Sequence, residues 1–239
     1  MDQLVAVWER LAVRQPDPPL WVLLTAAAVA LFAVSDVRTW LLARHVVTLA
    51  HEGGHAGVAL LSGRRVHGVR LHSDTSGLTL SYGRPTGPGM VFTAAAGYLM
   101  PSVLGLAAAA ALSTGRVLAT LAGFLVLVAA VGVAVRNVFG VVSVLTTAGI
   151  LVAVMVWAPP AVQAAFAFAL AWFLLLAGPR PVLELQHKRR RGQAPMSDAD
   201  QLARLTRLPG LFWVGAFLVL TVGAVAGGGY LLLLGTGLI

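Results

Sequence analysis

The 239-residue chain has no cysteine. That excludes a disulfide framework and any zinc site built on thiolates, so a metal here must be held by imidazole and carboxylate. Charge is nearly as scarce. Charged residues make up 11% of the chain, hydrophobic residues 58%, and the mean hydropathy is +0.85. Those values exclude an ordinary soluble globule and point to a polytopic membrane protein. There are only nine acidic residues, against 17 basic ones. In a soluble protein a net charge of +8 would suggest nucleic acid; here it reads first as loop charge, and no nucleic-acid partner is expected. Glu9, Arg10, Arg14 and Asp17 precede Pro18-Pro19, which is not the small-residue cleavage pattern of a signal peptide.

Against this apolar background stands His51-Glu52-Gly53-Gly54-His55, an H-E-x-x-H motif inside a run from about Trp40 to Leu61. Shuffling this composition would produce the motif in roughly one chain in five hundred. On a helix, residues four apart share a face, so His51 and His55 aim two imidazoles at one point, which suits a tetrahedral zinc. Glu52 lies one step round, where a carboxylate can accept a proton from water at the metal. Ionisable groups at membrane depth are costly, and their presence signals function.

The rest reads as seven transmembrane helices with one small β-hairpin, an all-α polytopic class. Met1 to Pro18 is a short amphipathic lead-in. The spans are about Pro19–Val34, Trp40–Leu61, Met90–Leu112, Val117–Val135, Phe139–Trp157, a sixth from Pro160 to Ala177, and Pro209–Leu234. Arg44 is placed to snorkel. Between the second and third spans, Arg65–His72 and Gly77–Tyr82 alternate around the turn composition Ser73-Asp74-Thr75-Ser76, predicting the hairpin. His67 and His72 read as solvated or interfacial strand residues. Gly97, Pro101 and Gly105 form one stripe in the third span, allowing close helix contact and a bend. The whole reads as a single integral-membrane domain over residues 1–239, with a polar hairpin insert at 62–88 and a basic loop at 178–208.

Threading seven spans gathers most Arg and Lys, including His187-Lys188-Arg189-Arg190-Arg191, on the side of the N-terminus. The positive-inside bias then predicts that N-terminus, hairpin and basic loop are cytoplasmic, with the basic run facing lipid headgroups. Counted along the second span, His51 lies ~15 Å from its cytoplasmic end. Two histidines leave a catalytic zinc one protein ligand short. Among the acidic residues, Asp198 is the favoured third donor and Asp200 the alternative. Ser197-x-x-Asp200 also fits a helix-capping pattern, which accounts for Ser197 and Asp200 and leaves Asp198 unexplained.

The motif in an early membrane helix, the polar hairpin after it, the Gly/Pro-marked third span and Ser197-Asp198-Ala199 before the last span resemble the site-2 protease family of intramembrane zinc metallopeptidases, and its compact bacterial branch in particular. The resemblance implies zinc on His51, His55 and Asp198, with Glu52 as general base. It further implies a bacterial plasma-membrane location and hydrolysis within or near transmembrane segments of membrane proteins, as in regulated intramembrane proteolysis. Better-known members carry an Asp-Gly pair, which this chain lacks. Asn137 is a supporting candidate, as an oxyanion donor. The rival expectation is a catalytically inactive, zinc-containing scaffold that binds transmembrane helices.

Overall fold

The computed structural model describes residues 11, 13–16 and 18–234. Most of the expected lead-in, with Asp2, Glu9, Arg10 and Asp17, lies outside the described residues. The helices are α1 (Leu20–Ser35), α2 (Val37–Leu61), α3 (Pro88–Leu112), α4 (Val117–Ala134), α5 (Val138–Trp157), α6 (Pro160–Ala177), α7 (Pro179–Arg190), α8 (Asp198–Thr206) and α9 (Gly210–Leu233). Strands β1 (Arg65–Leu71) and β2 (Gly77–Tyr82) form a two-stranded antiparallel sheet. Proline at the first turn starts α3, α6 and α7, where its missing N–H costs nothing.

Among the described residues, five helical stretches are long and apolar enough to cross a membrane, or six if α1 and α2 together make one crossing. The expectation of seven therefore needs correction. α1 has 16 residues and α2 meets it at a 100° bend. The Asp36 carboxylate makes that corner, accepting from Thr39 N–H at 2.8 Å and so capping α2 as α1 ends. α7 continues α6, so Pro160–Arg190 forms a single 31-residue stretch.

Contacts between segments fix which of them share an end of the bundle. Gln15 N–H donates to Gly115 O at 2.9 Å, and Gln15 Nε2 to Gln163 Oε1 at 3.4 Å. The N-terminal segment thus lies at the start of α4 and of α6. The far end of α4 meets the hairpin: Val69 bridges Val135, and Arg136 N–H donates to Val69 O at 2.9 Å. The far end of the α6–α7 stretch is the basic run. N-terminal segment and basic loop therefore lie at opposite ends of the bundle. The expected six crossings between them, an even number, had put them together.

The hairpin is not a detached polar appendage. It folds back along α2, with Thr48 Oγ1 donating to Thr75 O at 2.9 Å and Thr79 Oγ1 to Glu52. Its register pairs Val69 with Thr79, with an irregularity between Val66 and Gly68. Arg44 does not snorkel. Its Nη1 lies 3.1 Å from Glu184 Oε2, while Trp40 Nε1 and Arg180 Nε donate to Glu184 Oε1 at 2.9 and 3.3 Å. This ionic knot fastens α7 to the first turns of α2, and charged groups are retained there because each has a partner.

Candidate metal centre

Three elements supply the donors. α2 carries His51 and His55 one turn apart, and α8 delivers Asp198 from its first position. The Asp198 Oδ2 oxygen lies 3.3 Å from His51 Nε2 and 3.2 Å from His55 Nε2, and the two Nε2 atoms are 3.1 Å apart. Among the described residues this is the group of three that could hold a metal ion. A metal–ligand distance of ~2.0–2.1 Å in a tetrahedral shell puts neighbouring donors about 3.3 Å apart. The observed triangle meets that requirement on all three sides, so the residues present fit a zinc-sized ion with an all-His/Asp shell.

The surroundings orient the donors. His55 Nδ1 lies 2.7 Å from Thr93 O, so this nitrogen carries the proton and donates, leaving the Nε2 lone pair for the centre. The Tyr98 ring stands edge-on to His51 with centroids 4.8 Å apart and stacks on Phe217 of α9. Gly97 lets the α3 backbone approach: a Cβ there would lie 2.6 Å from His51 Nε2 and overlap His55 Nε2.

Glu52 is buried, at 5% exposure. Its Oε2 accepts from Thr79 Oγ1 at 2.6 Å. Gly77, on the same face of β2, lies so close that a Cβ would be 2.5 Å from Glu52 Cγ and Oε1. The base candidate is thus clasped between a hydroxyl and bare backbone of the hairpin.

Asp200, the alternative donor, faces away into an ion pair with Arg189, accepting from Nη2 at 2.6 Å and Nε at 3.1 Å. Ser197 Oγ donates to Asp200 Oδ2 at 2.6 Å, and the Ser197 side chain caps α8 by accepting from Asp200 N–H. Burial acts to raise the Asp200 pKa, but the Arg189 and Ser197 hydrogen bonds and the Arg189 charge outweigh it and lower the value. The capping reading of Ser197-x-x-Asp200 therefore holds, and Asp200 belongs to the brace that presents Asp198.

Asn137 is also apart from the donors. Its Oδ1 accepts from Leu71 N–H at 3.1 Å and its Nδ2 donates to Leu71 O at 2.6 Å, pinning β1 to the α4–α5 corner. The Oδ1 and one N–H of the amide are thus engaged by the backbone of β1. His67 stacks edge-on with Tyr82, and His72 Nδ1 lies 3.2 Å from Ser76 Oγ at the hairpin tip; neither joins the cluster. Thr79, Thr93 and Gly77 were not anticipated. No motif marks them, although period-2 alternation in Gly77-Leu78-Thr79-Leu80 puts Gly77 and Thr79 on one face.

On the other face of α2 an apolar cavity of about 760 Å³ is lined by residues such as Ala50, Gly53 and Gly57, and none of the donors reaches it. The three donors and Glu52 lie on the face shared by α3, α8 and β2.

A sequence model of the family described as Peptidase M50B-like, which is the site-2 protease family, matches residues 24–228. Comparison with curated proteins and with solved structures returns no match.

Proposed function

The chain belongs to the Peptidase M50B-like family, and on that premise we propose that it is an intramembrane zinc metalloprotease that hydrolyses peptide bonds in or near transmembrane segments of membrane proteins. The observation that carries this reading is the 3.1–3.3 Å triangle of His51 Nε2, His55 Nε2 and Asp198 Oδ2 next to a buried Glu52. A metal that only braced the fold would need the three donors and have no use for a buried carboxylate one residue from them.

Zinc, when bound, would supply Lewis acidity, lowering the pKa of a water toward ~7 and polarising the scissile carbonyl. Every other part falls to the chain. Glu52 accepts the proton of the attacking water and returns it to the nitrogen of the breaking C–N bond, so that the amine leaves neutral. His55 is held in the tautomer that keeps Nε2 free by the Thr93 carbonyl. The Arg189–Asp200–Ser197 brace fixes the first turn of α8 and hence Asp198.

A transmembrane helix must unwind locally to expose a carbonyl. β2 pairs with β1 on one edge and with no strand among the described residues on the other, so an extended substrate segment can add there by strand pairing. Residues 1–239 then act as one membrane-embedded peptidase domain with the hairpin as a wall of its site. Among the described residues, only Arg14 and Arg116 lie at the N-terminal end of the bundle, against Arg64, Arg65, Arg84 and the Lys188–Arg191 run toward the other. By the positive-inside rule the hairpin and basic loop face the cytoplasm, and the N-terminal segment faces the opposite compartment.

Glu52→Gln should keep zinc and lose cleavage of a tagged single-span peptide in proteoliposomes. His55→Ala should lose both. Cleavage by Glu52→Gln at the wild-type rate would refute the base assignment, and with it the peptidase reading.

A further inference from the structure

The hydrolysis derived above uses Glu52 and the three donors, and it leaves unexplained why a hairpin hydroxyl is lodged on the base. We propose that Thr79 is a positioning residue of this reaction: its hydroxyl fixes the Glu52 carboxylate through Oε2, so that the hairpin, and not α2 alone, sets the direction in which the base presents its other oxygen. The proposal rests on Glu52 being the base.

Thr79 Oγ1 has one proton and two acceptors in range, Glu52 Oε2 at 2.6 Å and Glu52 O at 3.2 Å. The shorter contact, to a charged oxygen, is the stronger bond and takes the proton. Oε1 accepts no hydrogen bond among the described residues and lies against the bare backbone of Gly77. One carboxylate oxygen is thereby anchored and the other left available. A glutamate side chain alone has three rotatable bonds and no such preference for one direction.

Thr79 is itself held from behind. It is register partner to fully buried Val69, which bridges Val135 and accepts from Arg136 N–H. Its β-branched side chain restricts χ1. The line of support runs from the α4–α5 corner through β1 and β2 to the base. The strand that positions Glu52 is also the one whose outer edge is open, so a peptide pairing with β2 bears directly on base geometry.

The test uses the zinc-loaded full chain in detergent, with labelled casein and a tagged single-span peptide as substrates. Thr79→Val, which keeps the side-chain shape, should lower kcat about ten- to hundred-fold with KM within about twofold, as expected for loss of an orienting partner. Zinc stoichiometry should not change. Thr79→Ser, which keeps the hydroxyl, should recover most of the lost kcat. Thr48→Val cuts the other hairpin latch, Thr48 Oγ1 to Thr75 O, without touching the base, and should leave kcat near wild type. Wild-type kcat in Thr79→Val beside an inactive Glu52→Gln would overturn the proposal and spare the peptidase reading. So would equal damage from Thr79→Val and Thr48→Val, or a failure of Ser to rescue. Full activity in Glu52→Gln, or no cleavage by the wild type, would overturn the peptidase reading itself.

Discussion

Replacing Gly97 by alanine adds one methyl group at the point where α3 passes the two imidazoles. The new Cβ would lie 2.6 Å from His51 Nε2 and Cε1 and closer still to His55 Nε2. Comfortable contact between such atoms needs ~3.5–4.0 Å, so the neighbours must part by roughly 1 Å. Neither side yields easily: His55 is tied to Thr93 on α3 itself, and the His51 ring is wedged against Tyr98. A metal site tolerates displacement of only ~0.5 Å. Gly97→Ala should therefore weaken zinc binding at least about ten- to hundred-fold, the scale of losing an orienting partner. Intrinsic helix propensity pulls the other way, favouring alanine over glycine in a helix interior by about 0.8–1.0 kcal/mol. The same clash exists without metal, where overpacking costs about 1–3 kcal/mol, so zinc affinity and metal-free stability should both fall, the helix gain offsetting only part of the loss. Competition with a chromophoric chelator reads the first, and thermal unfolding of the metal-free protein the second. Wild-type zinc affinity in Gly97→Ala would refute the placement of Gly97 against the donor atoms.

Asp198→Asn should strip zinc from the protein, whereas Asp200→Asn should largely keep it; equal zinc content in the two variants, by elemental analysis, would count against the donor assignment. The Asp200 pKa is lowered in the folded protein, so its ion pair with Arg189 stabilises fully above the ordinary value of 3.8 and is lost as pH falls through the lower folded value. Melting curves should accordingly show Asp200→Asn less stable than wild type at pH 6, the two converging in strong acid. Because the chain has no cysteine, sidedness can be read with single introduced thiols. Val13→Cys and Gln193→Cys should react with a membrane-impermeant maleimide from opposite faces of a sealed vesicle, and labelling from the same face would contradict the single crossing of α1 with α2.

Much of the centre was legible in the sequence because its signal is local. Two histidines four apart on a helix share a face whatever the tertiary structure does. Asp198 was reachable by elimination, since acidic residues are few and the capping pattern already explained Asp200. What carried no signal was the shell around these groups. Thr79 and Thr93 are ordinary threonines, one in a strand and one in a helix, and they meet Glu52 and His55 only after α3 and the hairpin have closed on α2. Asn137 shows the converse. The sequence offered it as a supporting oxyanion donor and carried no sign that its Oδ1 and an N–H would match the N–H and C=O of Leu71, a use that backbone pairing makes available anywhere beside an edge strand.

The span count failed for a physical reason that bears on function. Hydropathy treats α1 and α2 as separate crossings because each carries an apolar run. Yet α2 also carries Arg38, Arg44, His45, His51, Glu52 and His55, and a lipid-facing upright helix could not shelter so many ionisable groups. Breaking the crossing at Asp36 turns α2 against α3, α7 and the hairpin, where these groups find partners: Arg44 on Glu184, His55 on Thr93 and Asp198, Glu52 on Thr79. The 100° corner thus lets this apolar chain keep a buried carboxylate at Glu52. Depth therefore cannot be counted at 1.5 Å per residue as along one straight span, because the α1–α2 pair turns by 100°.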